Sequence, residues 1–222
     1  MKVCMNVGID NIADYYDKES EKHVPNGRHN VIKHSLTSLV SPGRALDVGC
    51  GIGIISKSLA ERGMHVTAID LSPGMINRAA TENEHARITY VCADVTDTES
   101  MKGLSHSGQI SAKYDLIVMA DVFEHLLPTA IPAFMKFIQS VSHKETVAYL
   151  NIPDGRFLSH WIFTNHAKIQ IVEVPYLISD IYKMFETYGF EATGIRIYGL
   201  DFPVQYNEFT FVQKDRLRQM YL

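Results

Sequence analysis

Apolar positions in the first 40 residues recur at helical spacing, in DNIADYYDKESEKH and again in RHNVIKHSLTSLV, with the turn signal Pro25-Asn26-Gly27 between them. Two helices are predicted ahead of the first strand. From Arg44 the pattern changes. Short apolar runs (RALDV, HVTAID, ITYVCAD) alternate with longer segments of helical period (IISKSLAERG, PGMINRAATEN). Strands that are apolar throughout are buried on both faces, so this alternation predicts an α/β fold: a doubly wound parallel sheet with helices on either side. Residues 96–113 are polar and rich in Ser and Gly, and predict a loop or a weak helix. Then come the strand YDLIVMAD, a helix near residues 129–142, the strand TVAYLNI, and an irregular piece over residues 153–175. The helix ISDIYKMFETYG stops at Gly189, suited to a left-handed cap. The last two strand candidates, FEATGIRIYG and NEFTFVQK, are spaced to pair antiparallel.

The length of 222 residues fits one core with an appendage. The expected organisation is an N-terminal helical cap over 1–43 and a main domain over 44–222, carrying a lid-like insertion at about 153–176. With 46% hydrophobic and 21% charged residues, neither disorder nor a fibrous repeat is indicated. No apolar run is long enough for a signal peptide or a membrane span, so a cytoplasmic location and no membrane partner are expected. Cys4, Cys50 and Cys92 lack the count and spacing of a disulfide framework and are read as reduced thiols. A net charge of −4 leaves no electrostatic footprint for a phosphate backbone, which disfavours nucleic acid as a partner.

The candidate chemistry begins at ALDVGCGIGIIS. Gly49, Gly51 and Gly53 sit where the first strand turns into a helix, the turn that borders the ligand crevice of an open parallel sheet. The spacing is G-x-G-x-G; a dinucleotide fingerprint requires glycine where Ile54 stands. Asp47 would repel a pyrophosphate but welcome a sulfonium or ammonium charge. Asp70, closing its strand about 20 residues after the turn, is placed to accept both hydroxyls of a ribose. Asp94, one strand further out, is placed to accept from an exocyclic amino group such as that of adenine. Cation, ribose and adenine together describe S-adenosylmethionine.

ALDVGCGIG, VTAIDLSPGMI, VCADVTD and YDLIVMADVFEHL match, in order and spacing, the first four motifs of the class I S-adenosylmethionine-dependent methyltransferases, and residues 44–214 resemble that family. The resemblance implies a Rossmann-like sheet of seven mostly parallel strands with the last strand antiparallel. It assigns the glycine turn, with Asp47 and Cys50, to the methionine moiety and Asp70 with Leu71 to the ribose. It assigns Asp94 with Val95 to the adenine, on which Met75 packs, and puts the segment from Ala120 to His125 beside the methyl group.

Methyl transfer needs alignment and exclusion of water, and an acceptor that still carries a proton benefits from a base. His125 is the candidate base, with support of the loop as its alternative role. Tyr16, with Tyr15, resembles the tyrosine-bearing segment that covers the cofactor in small-molecule members. Arg28 and His29 are positioned to meet the methionine carboxylate. Asp121, Glu124 and His125 at i, i+3 and i+4 would share a helical face. They look like the acidic-x-x-Glu-His group of certain metal-assisted O-methyltransferases. The further histidines, His160 and His166, do not fit that spacing, and no metal ligand is assigned. The post-strand segment lacks Asn-Pro-Pro-Tyr, which argues against base or glutamine methylation. Phe157, His160, Trp161, Phe163 and His166 in the lid-like piece could clamp a flat or cationic acceptor, or pack against the sheet or a second subunit. The expected activity is methylation of an O, N or C atom of a small molecule; the alternatives are an RNA or protein methyltransferase and a silent cofactor-binding subunit.

Overall fold

In the computed structural model, residues 4–5, 12–111, 113–165, 170–199 and 205–214 are described. The chain runs β1 (Cys4–Met5), α1 (Ile12–Ser20), α2 (Gly27–Leu36), β2 (Arg44–Val48), α3 (Ile54–Glu61), β3 (His65–Asp70), α4 (Pro73–Glu82) and β4 (Ile88–Cys92). It continues with α5 (Thr98–His106), β5 (Tyr114–Ala120), a single 3₁₀ turn (Phe123–His125), α6 (Ile131–Ser140) and β6 (Ser142–Pro153). Last come α7 (Gly155–Thr164), β7 (Val172–Glu173), α8 (Ile178–Thr187), β8 (Phe190–Gly199) and β9 (Gln205–Gln213).

Seven strands form one sheet in the order β4-β3-β2-β5-β6-β9-β8, and β1 pairs with β7 apart from it. The order reverses at β2, because β3 and β5 both pair parallel with it; that reversal opens the ligand crevice. Strand β9 runs antiparallel to both β6 and β8, as expected. Register sets Val48 beside Ile69 and Asp70 beside Cys92, so the carboxyl ends of β2, β3 and β4 lie in a row.

Alternate residues of the central strands feed two cores, which is why these strands read as apolar throughout. Leu46, Ile117 and Met119 join Phe134, Ile138, Ile181 and Phe185 of α6 and α8. Ala45, Leu116 and Val118 join Ile32 and Leu36 of α2 and Ile55 and Leu59 of α3.

The cap helices are tied down by polar contacts. Asn26 accepts from the Arg28 N–H at 3.0 Å and His29 Nδ1 accepts from the Asn26 N–H at 3.1 Å, which caps α2. Asp17 of α1 accepts from the Gly74 N–H at 2.5 Å and from the Ser72 hydroxyl at 3.2 Å, capping α4 from another helix. Arg78 of α4 donates back to the Ser20 and His23 carbonyls.

One stretch settles an open alternative and another differs from expectation. The polar segment after β4 forms α5, because Asp97 accepts from the N–H groups of Glu99 and Ser100 and Met101 is buried. The irregular piece contains α7, started by Asp154, which accepts from the Arg156 N–H, and held by buried Leu158 and Ile162 at i, i+4 spacing. Aromatic and His residues around that pair hid its period. His166 lies outside the described residues. Among the described residues no helix is long and apolar enough to cross a membrane.

Candidate active site

At the end of β2, Gly49, Gly51 and Gly53 all take positive φ, at 68°, 53° and 81°. They serve different ends. A Cβ on Gly53 would lie 2.4 Å from the Tyr90 hydroxyl, so this glycine is required by close packing as it starts α3. At Gly51 the nearest side-chain atom, His23 Nε2, is 3.8 Å away, and this residue opens onto a cavity. The cavity, of about 790 Å³, lies over the carboxyl ends of β2 to β5 under α1 and α2, a size suited to a small ligand.

Asp47, Gly49, Cys50, Gly51, Asp70, Leu71, Met75, Asp94, Val95 and Ala120 all line this cavity, together with Tyr16 and His125. Gly53 is not among the lining residues; a Cβ there would meet Tyr90, so its place in the turn is set by packing.

The three acids differ in environment. Asp47 is 2% exposed and accepts from the Ser56 hydroxyl at 2.5 Å; burial pushes its carboxyl up to about 7. Asp70 accepts from the Gly51 N–H at 2.8 Å and the Ser72 N–H at 2.9 Å, fastening the glycine turn to the tip of β3. Burial raises its titration while those N–H groups oppose the rise. Asp94 stays exposed and folds into a local turn, its Oδ1 accepting from the Thr96 N–H and hydroxyl.

Beyond β5 the chain makes an unusual bend. Asp121 takes φ +56°, rare for a residue with a Cβ, and its N–H donates to the Asn151 carbonyl. The helical face expected for Asp121, Glu124 and His125 does not form, since only Phe123–His125 make a 3₁₀ turn. Instead Asp121 pairs with Arg28 Nε at 2.7 Å. Arg28 also donates to the Tyr206 hydroxyl and lies 4.9 Å over that ring. Arg28 and His29 line the cavity, but Arg28 is engaged with Asp121 and His29 with the α2 cap. Among the described residues no group of three His, Cys, Asp or Glu side chains is placed to hold a metal ion.

His125 Nδ1 lies 2.8 Å from the Val172 carbonyl, which can only accept, so Nδ1 carries the proton and Nε2 keeps a lone pair. Burial pushes the imidazole down to about 4, against the effect of the Val172 bond. The Tyr16 ring sits 5.6 Å from the His125 ring, and its buried hydroxyl has no hydrogen-bond partner. Burial, then the neighbouring Glu124, holds that phenol well above its ordinary range. The Val174 N–H donates to the Glu124 carbonyl at 2.8 Å, so the β7 segment clamps the 3₁₀ turn from both sides.

Phe157, His160, Trp161 and Phe163 are not among the cavity-lining residues, and Phe163 is 76% exposed; α7 turns them away from the site. Sequence reasoning missed the Arg28–Asp121–Tyr206 group and the Val172 carbonyl. From sequence, Arg28 and His29 are placed only toward the methionine carboxylate, and a main-chain partner leaves no signal in residue type.

The architecture combines a cavity with fixed acids at three adjacent strand tips and a neutral imidazole presenting a lone pair. A family model described as "Methyltransferase domain" matches residues 25–194. The chain is 25% identical over 201 residues to a ubiquinone biosynthesis O-methyltransferase of Rickettsia bellii, covering 80% of this chain and 78% of that protein. The solved structure of magnesium protoporphyrin IX methyltransferase from Synechocystis PCC 6803 with bound SAH superposes with a TM-score of 0.70 at 16% identity, covering 92% of this chain and 98% of that one. A SAM-dependent methyltransferase of Anabaena variabilis superposes with a TM-score of 0.73 at 18% identity, covering 94% and 96%. The chain belongs to the class I S-adenosylmethionine-dependent methyltransferases.

Proposed function

We propose that this methyltransferase transfers the methyl group of S-adenosylmethionine to a small-molecule acceptor, with His125 as the base and Tyr16 closing the site over the methyl group. The observation that carries the reading is the fixed tautomer of His125: its Nδ1 proton is committed to the Val172 carbonyl, so the nitrogen left to face a ligand is an acceptor. In this reading Asp70 and Leu71 hold the ribose, Asp94 and Val95 the adenine edge with Met75 on its face, and Gly49, Cys50, Gly51 and Ala120 the methionine moiety. Asp47 acts from beneath the turn as a negative charge toward the sulfonium. Each of these residues borders one continuous cavity.

A small acceptor is favoured by the relatives, which include ubiquinone biosynthesis and malonyl-[acyl-carrier protein] O-methyltransferases. The acid-rich surround and Tyr15 and Tyr16 favour an aromatic or cationic one. We further propose a cytoplasmic enzyme that forms a homodimer through the aromatic residues of the lid-like piece or the amino-terminal helices.

The test is incubation with methyl-labelled S-adenosylmethionine and separate pools of metabolites, RNA and protein. Label confined to the low-mass pool is expected; label in RNA or protein overturns the acceptor class. His125→Gln is expected to lower label transfer by about 100-fold or more with S-adenosylhomocysteine affinity unchanged, and undiminished transfer removes His125 as the base.

A further inference from the structure

The 3₁₀ turn sets two neighbouring titratable side chains in different places. His125 lines the cavity, whereas Glu124 does not and is only 3% exposed. Glu124 Oε1 lies 3.9 Å from His125 Nε2. That distance is too long for a hydrogen bond, so Glu124 lies beside the imidazole without occupying its lone pair. Glu124 Oε2 is buried and has no hydrogen-bond partner.

The surroundings leave this carboxyl uncompensated. Arg28 of α2 is the cation that acts on it, and Arg28 is already paired with Asp121. From β7, Glu173 adds a second carboxyl whose Oε2 is also buried and unpartnered. From α1, Tyr16 brings a hydroxyl without a partner. Asp70 acts on the same tyrosine. Burial, then Asp121, raises Glu124 well above the ordinary carboxylate range.

A buried carboxyl beside a buried imidazole costs least when the two share one proton and carry no net charge. Removing that proton leaves a buried negative charge, and adding another leaves a buried positive one. S-adenosylmethionine brings a sulfonium charge into the cavity; S-adenosylhomocysteine brings a neutral thioether.

We propose that Glu124 and His125 form a proton-exchanging pair: binding of S-adenosylmethionine expels one proton from the pair, and methyl transfer returns the acceptor's proton to it. The inference rests on the reading of His125 as the base beside the methyl group. In the step, the acceptor's lone pair forms a bond to the methyl carbon, the carbon–sulfur bond breaks with its electrons staying on sulfur, and the acceptor's proton passes to His125 Nε2. Before it, the sulfonium balances the ionised pair; after it, a neutral thioether faces a neutral pair. The pair and the ligand's sulfur together carry no net charge at any stage. Glu124 does not line the cavity and is a positioning residue that holds the pair's proton beside His125.

The test is calorimetry on the full chain, titrated near neutral pH with S-adenosylmethionine and with S-adenosylhomocysteine, in phosphate and in Tris, whose different ionisation heats report protons released. The wild-type chain is expected to release about one proton more with S-adenosylmethionine. Glu124→Gln, with folding checked by its melting curve, is expected to abolish that difference even though Asp47, Asp70 and Glu173 remain. Equal proton exchange with both ligands, or a difference that survives in E124Q, overturns the proposal.

A second measurement needs no variant. Below the titration of the pair, the wild-type Kd for S-adenosylmethionine is expected to rise about tenfold for each pH unit of acidification while that for S-adenosylhomocysteine stays level; parallel profiles overturn the proposal. H125Q with undiminished label transfer overturns the base reading and this inference together. Equal proton exchange alongside an inactive H125Q overturns this inference alone.

Discussion

Asp47→Asn is expected to make the folded chain more stable above neutral pH and to weaken its hold on S-adenosylmethionine. The carboxyl is 2% exposed, and burial moves it from 3.8 to about 7 despite the Ser56 hydroxyl. The folded chain therefore binds this proton more tightly than the unfolded chain. The stabilising contribution of the protonated form is full below the unfolded value and is lost as pH rises through about 7. A gap of about 3 pH units at 1.36 kcal/mol each makes the loss about 4 kcal/mol by pH 8. An amide of the same shape still accepts from Ser56 and does not titrate. Glu173, raised to about 7 by burial, titrates in both proteins and cancels in the comparison. Urea unfolding of wild type and D47N at pH 4 and pH 8 reads the effect directly, the stability of D47N relative to wild type growing by about 4 kcal/mol between the two. A difference that does not change with pH refutes the reasoning. The same variant is expected to lose affinity for S-adenosylmethionine more than for S-adenosylhomocysteine, the stability gained at the cost of the site.

Gly74→Ala adds a Cβ that would lie 2.6 Å from both Asp17 Oδ1 and Ser20 Oγ, so it is expected to lift α1 from α4. The readout is S-adenosylhomocysteine affinity, weakened by about fivefold for a loss near 1 kcal/mol, with faster proteolysis within α1; unchanged affinity and protection would refute the role given to the contacts between α1 and α4. Gly53→Ala must take φ +81° and displace Tyr90, and is expected to destabilise the chain by about 1–3 kcal/mol in urea unfolding; a neutral effect would show that Tyr90 yields freely.

Local features carried most of the architecture. The strands RALDV, HVTAID and FEATGIRIYG have the bounds their sequence pattern predicts; for the first two the reason is burial on both faces, whereas the edge strand FEATGIRIYG is mostly exposed and is bounded by its flanking turn residues. The glycine turn was legible for the same kind of reason: positive φ leaves few residue choices. What the pattern did not carry is long-range. Arg28 reaches Asp121 across the crevice, and His125 is oriented by a carbonyl in β7, 47 positions away in the chain. Asp121 itself reads as the first residue of a helical turn, but a left-handed backbone sends its side chain to Arg28 instead. Helix α7 was missed because its buried pair, Leu158 and Ile162, is set among aromatic residues that stay partly or wholly exposed.

The treatment of buried acids separates structure from function within this one chain. Glu208, 5% exposed on β9, receives the Ser35 and Tyr149 hydroxyls and the Arg196 guanidinium, which join α2, β6 and β8 around it. The fold is thus able to satisfy a buried carboxylate where stability alone is at stake. At the end of β5 it does not. Tyr16 Oη, Asp121 Oδ1, Glu124 Oε2 and Glu173 Oε2 are buried without partners within one neighbourhood. Each such atom costs stability that an apolar side chain would save, typically by about 1–3 kcal/mol. Packing gives no reason to bear that cost at one strand tip and not at Glu208. Under the proposed function a cationic ligand supplies the reason, its charge offsetting the carboxylates when it binds and being lost from the cavity once the methyl group has gone.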